Sequence, residues 1–378
     1  MKILKTAFKF IKYDRAKSIG VVVGILISTF LIGQQLGILD YLKGLMAATV
    51  DNANTQIWVV DTRTKDINQL TAIDIKKLRE VQSVAGVKEA FPIVITTGSA
   101  TLNSGRTSAV TLIGIQSPTY YGGPKASKII KGSVEDLQVE GAVSADFFDS
   151  KVFSVPTDVG TQLEINGKKA HIALQTKGIR GFGFAFMYTT IERARYFANI
   201  SPDKINAIMV NILPGQNIDD VVAAIDKQVY GIKAFKSADI RDSTIATVIA
   251  TTGIAQSTGT LIIFALISGL FIIGLTMYSS ALDRIKDYGT LKAIGASNGY
   301  IRKLILSQSV VFAVVGYVLA YGMLQGFRTG VAETGLLVNF SAEVLIILFV
   351  TILIISLIGS AFALRKIKTV EPASVFRG

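Results

Sequence analysis

Cysteine is absent from the 378 residues, and histidine occurs once, at His171. Without cysteine there are no disulfide staples, thiolate zinc sites or Cys nucleophiles. A single histidine argues against a His-rich metal centre and against a Ser-His-Asp triad. Charge is also thin: Asp, Glu, Lys and Arg make up 17% of the chain, against roughly 25% in soluble domains. What charge there is leans one way, with 39 Lys and Arg against 27 Asp and Glu for a net of +12. A basic excess suggests nucleic acid or an anionic surface. The mean hydropathy of +0.48 argues against the first and for the second.

The apolar residues are concentrated in intervals free of charge. Ser18–Leu39, Leu304–Phe327 and Val344–Leu364 contain no charged residue, and Leu261–Leu282 is the dense half of a longer uncharged run. A bilayer core of ~30 Å needs about 20 apolar residues in a helix. Four spans are therefore expected, at 19–39, 260–282, 304–325 and 343–364. The first is too long for the apolar core of a cleaved signal, so it is read as a retained anchor. No ionisable residue lies deep in any of them, which weighs against an ion-coupled carrier and against a polar pore.

Orientation follows from where Lys and Arg fall. Segments 1–18, 283–303 and 365–378 together hold 15 basic and 4 acidic residues, a net of +11. The interval 40–242 holds 23 basic and 21 acidic residues, a net of only +2. Both termini and the 283–303 loop are thus expected on the cytoplasmic side of the membrane. The interval between spans one and two, and the short loop 326–342, would lie outside.

The fold class expected is an α-helical membrane protein with four transmembrane helices plus a large extracytoplasmic α+β domain, 55–242. Strand patterns occur at Gln56–Asp61, Phe91–Thr97, Ser108–Ile115, Gln162–Ile165, His171–Leu174 and Ala207–Ile212. Asn166-Gly167 suits a hairpin turn, and Thr71–Val81 and Ile218–Val229 have amphipathic helical spacing. Gly178–Gly183 reads as a loop. It fails as a phosphate cradle, because no Lys-Ser/Thr follows it. Helical spacing continues beyond the spans into 40–54 and 243–259, giving either two helical stalks or, given Gly253, a Ser/Thr-rich linker. Within the spans, Gly20, Gly24 and Ser28, and Gly322, Gly326 and Gly330, recur at the four-residue spacing of close helix packing.

No G-x-x-x-x-G-K-[ST] loop is present, so energy for any work must come from another subunit. The loop between spans two and three carries the most information. Ile285, Tyr288, Leu291 and Ile294 stand three apart, a short amphipathic helix with Gly295 at its C-terminus. Such a helix can lie on lipid or dock into a partner's groove. The run Lys286–Ser297 resembles the E-[YIF]-G-x-L-[KR]-A-[ILM]-G-[AS] signature of permease subunits in the FtsX/MacB class of ABC transporters. Val370–Arg377 resembles that family's P-A-x-x-[LF]-R ending, and the order of spans matches it along the whole chain. Phe30–Leu39 with Gln56–Asp61 is closest to the DevC-like branch, which lacks a fused ATPase. Asp287 and Gln308 depart from the family pattern, each standing where Glu is usual.

The resemblance implies a non-enzymatic permease that pairs as a homodimer with a separate ABC ATPase subunit. ATP and Mg would be bound by that partner, and this chain would hold no cofactor or metal. Arg284, Asp287, Tyr288, Gly289, Leu291, Lys292 and Gly295 are the candidate ATPase-coupling residues. Movement would pass to the outer domain for export through a membrane-fusion adaptor and outer-membrane channel. An FtsX-like regulator of a periplasmic enzyme and a lipoprotein-extraction subunit are the alternatives. The lipid bilayer is the expected surroundings, and nucleic acid is not an expected partner.

Overall fold

The computed structural model describes residues 7, 13 and 15–368. Most of the basic 1–18 segment and the whole Val370–Arg377 motif therefore lie outside the described residues. In chain order the helices are α1 (Arg15–Met46), α2 (Ala48–Ala53), α3 (Lys76–Gln82), α4 (Ser150–Phe153), α5 (Ile191–Ala198), α6 (Ile218–Gln228), α7 (Ser237–Thr252), α8 (Ile254–Asp283), α9 (Ile285–Ala293), α10 (Asn298–Ala332) and α11 (Ala342–Lys368). The strands are β1 (Ile57–Asp61), β2 (Ile73–Asp74), β3 (Val87–Leu102), β4 (Thr107–Ile115), β5 (Ile129–Lys131), β6 (Ala142–Asp146), β7 (Gln162–Ile165), β8 (Lys168–Thr176), β9 (Ala185–Thr190), β10 (Lys204–Ile205), β11 (Ala207–Ile212) and β12 (Ile232–Lys236). They form two compact units, one of residues 1–41 with 254–378 and one of residues 42–253.

The first unit is helical. Helices α1, α8, α10 and the Ala342–Ala361 stretch of α11 are long and apolar enough to cross a membrane. Lipid tails are as apolar as leucine, so such helices are held by close backbone approach rather than by burial from water. A Cβ on Gly24 would stand 2.4 Å from Cγ2 of Ile272, and one on Gly269 would stand 2.6 Å from Oγ of Ser28. The Gly20, Gly24 and Ser28 face of α1 therefore lies against α8.

Among the described residues no atom lies within 4 Å of where Cβ atoms on Gly322, Gly326 or Gly330, the glycine face of the third span, would stand. Helix α10 makes its close approach at Gly316, where a Cβ would come 2.4 Å from Cγ2 of Ile25. Six residues separate Gly316 from Gly322, which at 3.6 residues per turn turns the later glycine roughly 120° away. Spacing identified a stripe, but not which neighbour it meets.

The second unit is built on a ten-stranded sheet in the order β12-β1-β11-β3-β7-β8-β5, with β4, β6 and β9 paired off this path. The sixteen-residue β3 joins two lobes. Its first part pairs with β11, while its later part pairs with β4 and β7. Helices α3 and α6 cover the first lobe, where Val81, Val221 and Ile225 meet Ile57, Val59 and Val210. The second lobe encloses Leu112, Val143, Phe153, Ile172 and Met187. Asn166 and Gly167 take φ of 50° and 75°, the left-handed pair that a two-residue hairpin needs, and join β7 to β8. His171 lies half-buried in β8 opposite Gln162.

Two local expectations change. The helix predicted over Thr71–Val81 starts at Lys76, because Ile73 and Asp74 pair with β10 instead. The Asp74 carboxylate then accepts from the Lys76 N–H at 2.8 Å and turns the chain into the helix. A helix running unbroken from 243 into span two is also interrupted. Gly253 takes φ 69°, so α7 and α8 are separate helices.

Candidate functional site

Helix α9 occupies the loop that the sequence singled out. Helix α8 ends at Asp283, whose carboxylate pairs with Lys17 of α1. Arg284 then leaves helical geometry at φ −98°, ψ 16°, and α9 starts at the next residue. At the far end the Ala296 N–H donates to the Leu291 carbonyl at 2.8 Å and the Gly295 N–H to that of Lys292 at 3.0 Å. Gly295 adopts φ 98°, which closes this cap. Two residues on, the Ser297 hydroxyl accepts from the Tyr300 N–H at 3.2 Å and starts α10. The nine-residue helix is thus closed by hydrogen bonds at its C-terminal end.

Its two faces differ. Tyr288 is only 2% exposed and joins the apolar core of the bundle, with Leu291 packed beside it. Burial pushes the Tyr288 hydroxyl up to about 12, with Arg284, Asp287 and Gln308 as its polar surroundings. Arg284 is also buried, under the ring of Tyr13 at 5.7 Å. On the opposite face Lys286, Asp287, Thr290 and Ala293 are exposed, and Ile294 stands 76% exposed.

This divides the candidate coupling residues. Arg284, Tyr288 and Gly289 are buried in the seat, and Leu291 and Lys292 are half-buried. Asp287 and Gly295 are exposed. The sequence reading placed Ile294 in the same apolar stripe as Tyr288, yet the structure turns it outward. Nine residues separate Ile285 from Ile294, and a three-residue repeat drifts around a 3.6-residue helix.

Residues 259–372, a range that holds most of α8 and all of α9, α10 and α11, match the FtsX-like permease C-terminal family. Over its whole length the chain is 24% identical to an uncharacterised ABC transporter permease of Methanocaldococcus jannaschii, covering 98% of that protein. Residues 259–372 thus carry an FtsX-like permease domain, and along its length the chain is similar to ABC transporter permeases. An uncharacterised ABC transporter permease of Mycobacterium tuberculosis is 24% identical over 80% of this permease and 78% of its own length. Among solved structures, the extracellular domain of the noncanonic ABC-type transporter YknZ from Gram-positive bacteria is similar over 48% of this permease and 99% of that chain. The identity there is 13% and the TM-score 0.37.

The permease has a second polar centre, in the 42–253 unit, that the sequence did not reveal. Asp146 and Asp149 are both fully buried at the end of β6. Asp146 Oδ2 accepts from the Ile179 N–H at 2.8 Å and the Thr176 hydroxyl at 3.1 Å. Arg180 lies 3.3 Å from Asp149. Burial, then the nearby Asp146 charge, pushes Asp149 up to about 7, and Arg180 only partly offsets them. These bonds fasten the base of the Gly178–Gly183 loop. The donors come from some thirty residues downstream of the acids, so no local spacing signals the cluster. Among the described residues no group of three His, Cys, Asp or Glu is placed to hold a metal.

Proposed function

We propose that this permease is the membrane subunit of an ATP-driven exporter, powered by a separate ABC ATPase whose movement enters through α9. One observation carries the reading: α9 has a buried side led by Tyr288 and an exposed side led by Ile294. A helix anchored on one face moves with the bundle, while an exposed apolar knob suits a partner's groove. Lys286 and Asp287 are exposed earlier on the same helix. ATP and Mg would be bound by the ATPase, as in the DevC-like branch. The segregation of basic residues supports both termini and α9 on the cytoplasmic side of the inner membrane, with residues 42–253 outside. Two permeases would pair with two ATPases, and an adaptor with an outer-membrane channel would complete the export route.

Co-purification with the co-expressed ATPase tests this. Ile294→Asp should reduce recovery of the ATPase by about tenfold, the effect expected of a buried interface anchor, without lowering the melting temperature of the permease. Leu291→Pro should abolish recovery by breaking the helix. Undiminished recovery with both variants would overturn the coupling role of α9.

A further inference from the structure

The 42–253 unit contains a cavity of about 350 Å³ with no part in the proposed coupling. That volume lies within the range of small-molecule pockets, about 300–1,000 Å³. One wall is aromatic: Phe182 and Phe184 come from the tip of the β8–β9 connection and Phe186 from β9. The tip is a tight hairpin, with Arg180 bridged to Ala185 and the Gly181 N–H donating to the Phe184 carbonyl at 3.1 Å. Its base is fastened by Asp146 and Asp149, so the rings are held in place rather than left on a free loop.

Among the polar residues of the lining, two are deeply buried. Asp66 is 5% exposed and Asn206 is 7% exposed. Asp66 Oδ1 accepts from the backbone and side-chain N–H groups of Asn68, at 2.9 and 3.0 Å. Asn206 Oδ1 accepts from the Ile95 N–H at 3.0 Å. Neither the second carboxylate oxygen of Asp66 nor the amide nitrogen of Asn206 has a hydrogen-bond partner among the described residues. Burial pushes the Asp66 carboxyl up, Asn68 alone opposes the shift, and no cationic side chain contributes.

A buried carboxylate without a counter-charge is an unfavourable arrangement that a bound cation relieves. Aromatic rings beside it attract ammonium groups. A bare divalent ion fits less well than an organic cation, since Ca²⁺ sites draw on several oxygen ligands and this lining supplies a single carboxylate, with amide and hydroxyl side chains and three phenyl rings around it. We propose that this cavity binds a small amphipathic organic amine, with its ammonium at Asp66 and its apolar body among Phe182, Phe184 and Phe186.

Dansylcadaverine, a fluorescent primary amine with an aromatic body, serves as the probe on the full chain in nanodiscs. The expected result is a saturable fluorescence rise that empty nanodiscs lack and that the N-acetylated, uncharged analogue competes at least about tenfold less well. Asp66→Asn keeps the Oδ1 acceptor and should weaken binding by about tenfold or more, the scale of a lost charge-assisted bond. Thr111→Phe, at a half-buried lining position on β4, should fill the space and weaken binding as much. The proposal is overturned by wild-type signal no greater than that of empty nanodiscs, by equal competition from the acetylated analogue, or by Asp66→Asn binding as wild type does. If Asp66→Asn does not fold, as judged by its melting curve, Thr111→Phe decides by the same measure.

Discussion

Asp149 is the residue whose environment most changes its chemistry. It is fully buried, faces the charge of Asp146 and titrates near 7, whereas an aspartate in an unfolded chain titrates near 3.9. Below about pH 4 both states hold the proton. Between about pH 4 and 7 the folded protein keeps a proton that the unfolded chain has released, so stability falls as pH rises and the loss is complete above 7. Asp146 is shifted upward too, again mainly by burial, and acts in the same sense. Asp149→Asn retains the acceptor that caps Asp146 and has nothing to titrate. Denaturant melts from pH 4 to 8 should therefore decline on the order of a few kcal/mol for the wild-type chain and markedly less for the variant. Equal slopes would contradict this account.

Elements show why some features were legible in the sequence and others were not. Four long apolar helices could be read because lipid as a solvent demands about twenty consecutive apolar residues, a signal no single substitution hides. Strands such as Gln162–Ile165 and Ala207–Ile212 were legible because β-branched residues cluster between turn signals. The short β2–β10 pair was not, since Ile73 suits a helix stripe and a strand equally and its partner Ile205 lies far along the chain. Contacts between helices were half legible. Gly24, which meets Ile272, stands in a four-residue repeat, while Gly269 and Gly316, which also stand at close approaches, belong to no repeat. Gly24→Leu should lower the melting temperature in detergent by several degrees, since even its Cβ meets Ile272 at 2.4 Å. Gly322→Leu, with open space around that position in the chain, should leave it unchanged. At α9, Gly295→Ala meets no atom within 4 Å, so its effect comes from the φ of 98° alone. That substitution should cost about 1 kcal/mol and reduce ATPase recovery without unfolding the bundle.

For the whole molecule, the missing cysteine becomes an experimental advantage. Any cysteine introduced is the sole thiol, so labelling has no background. Glu135→Cys, on an exposed turn of the 42–253 unit, should react with a membrane-impermeant maleimide on intact cells, and Lys286→Cys on the exposed face of α9 should react only after lysis. The reverse pattern would invert the proposed topology. The shared strand β3 has a consequence for synthesis. Its partner β4 follows within a few residues, but β11 is translated about a hundred residues later. At about 5–20 residues per second, half of β3 emerges from the ribosome and waits for seconds with an open edge, and β1 waits still longer for β11 and β12. The first lobe cannot be finished until β11 and β12 are made, so nascent chains arrested between β9 and β11 should be the form most in need of chaperone cover.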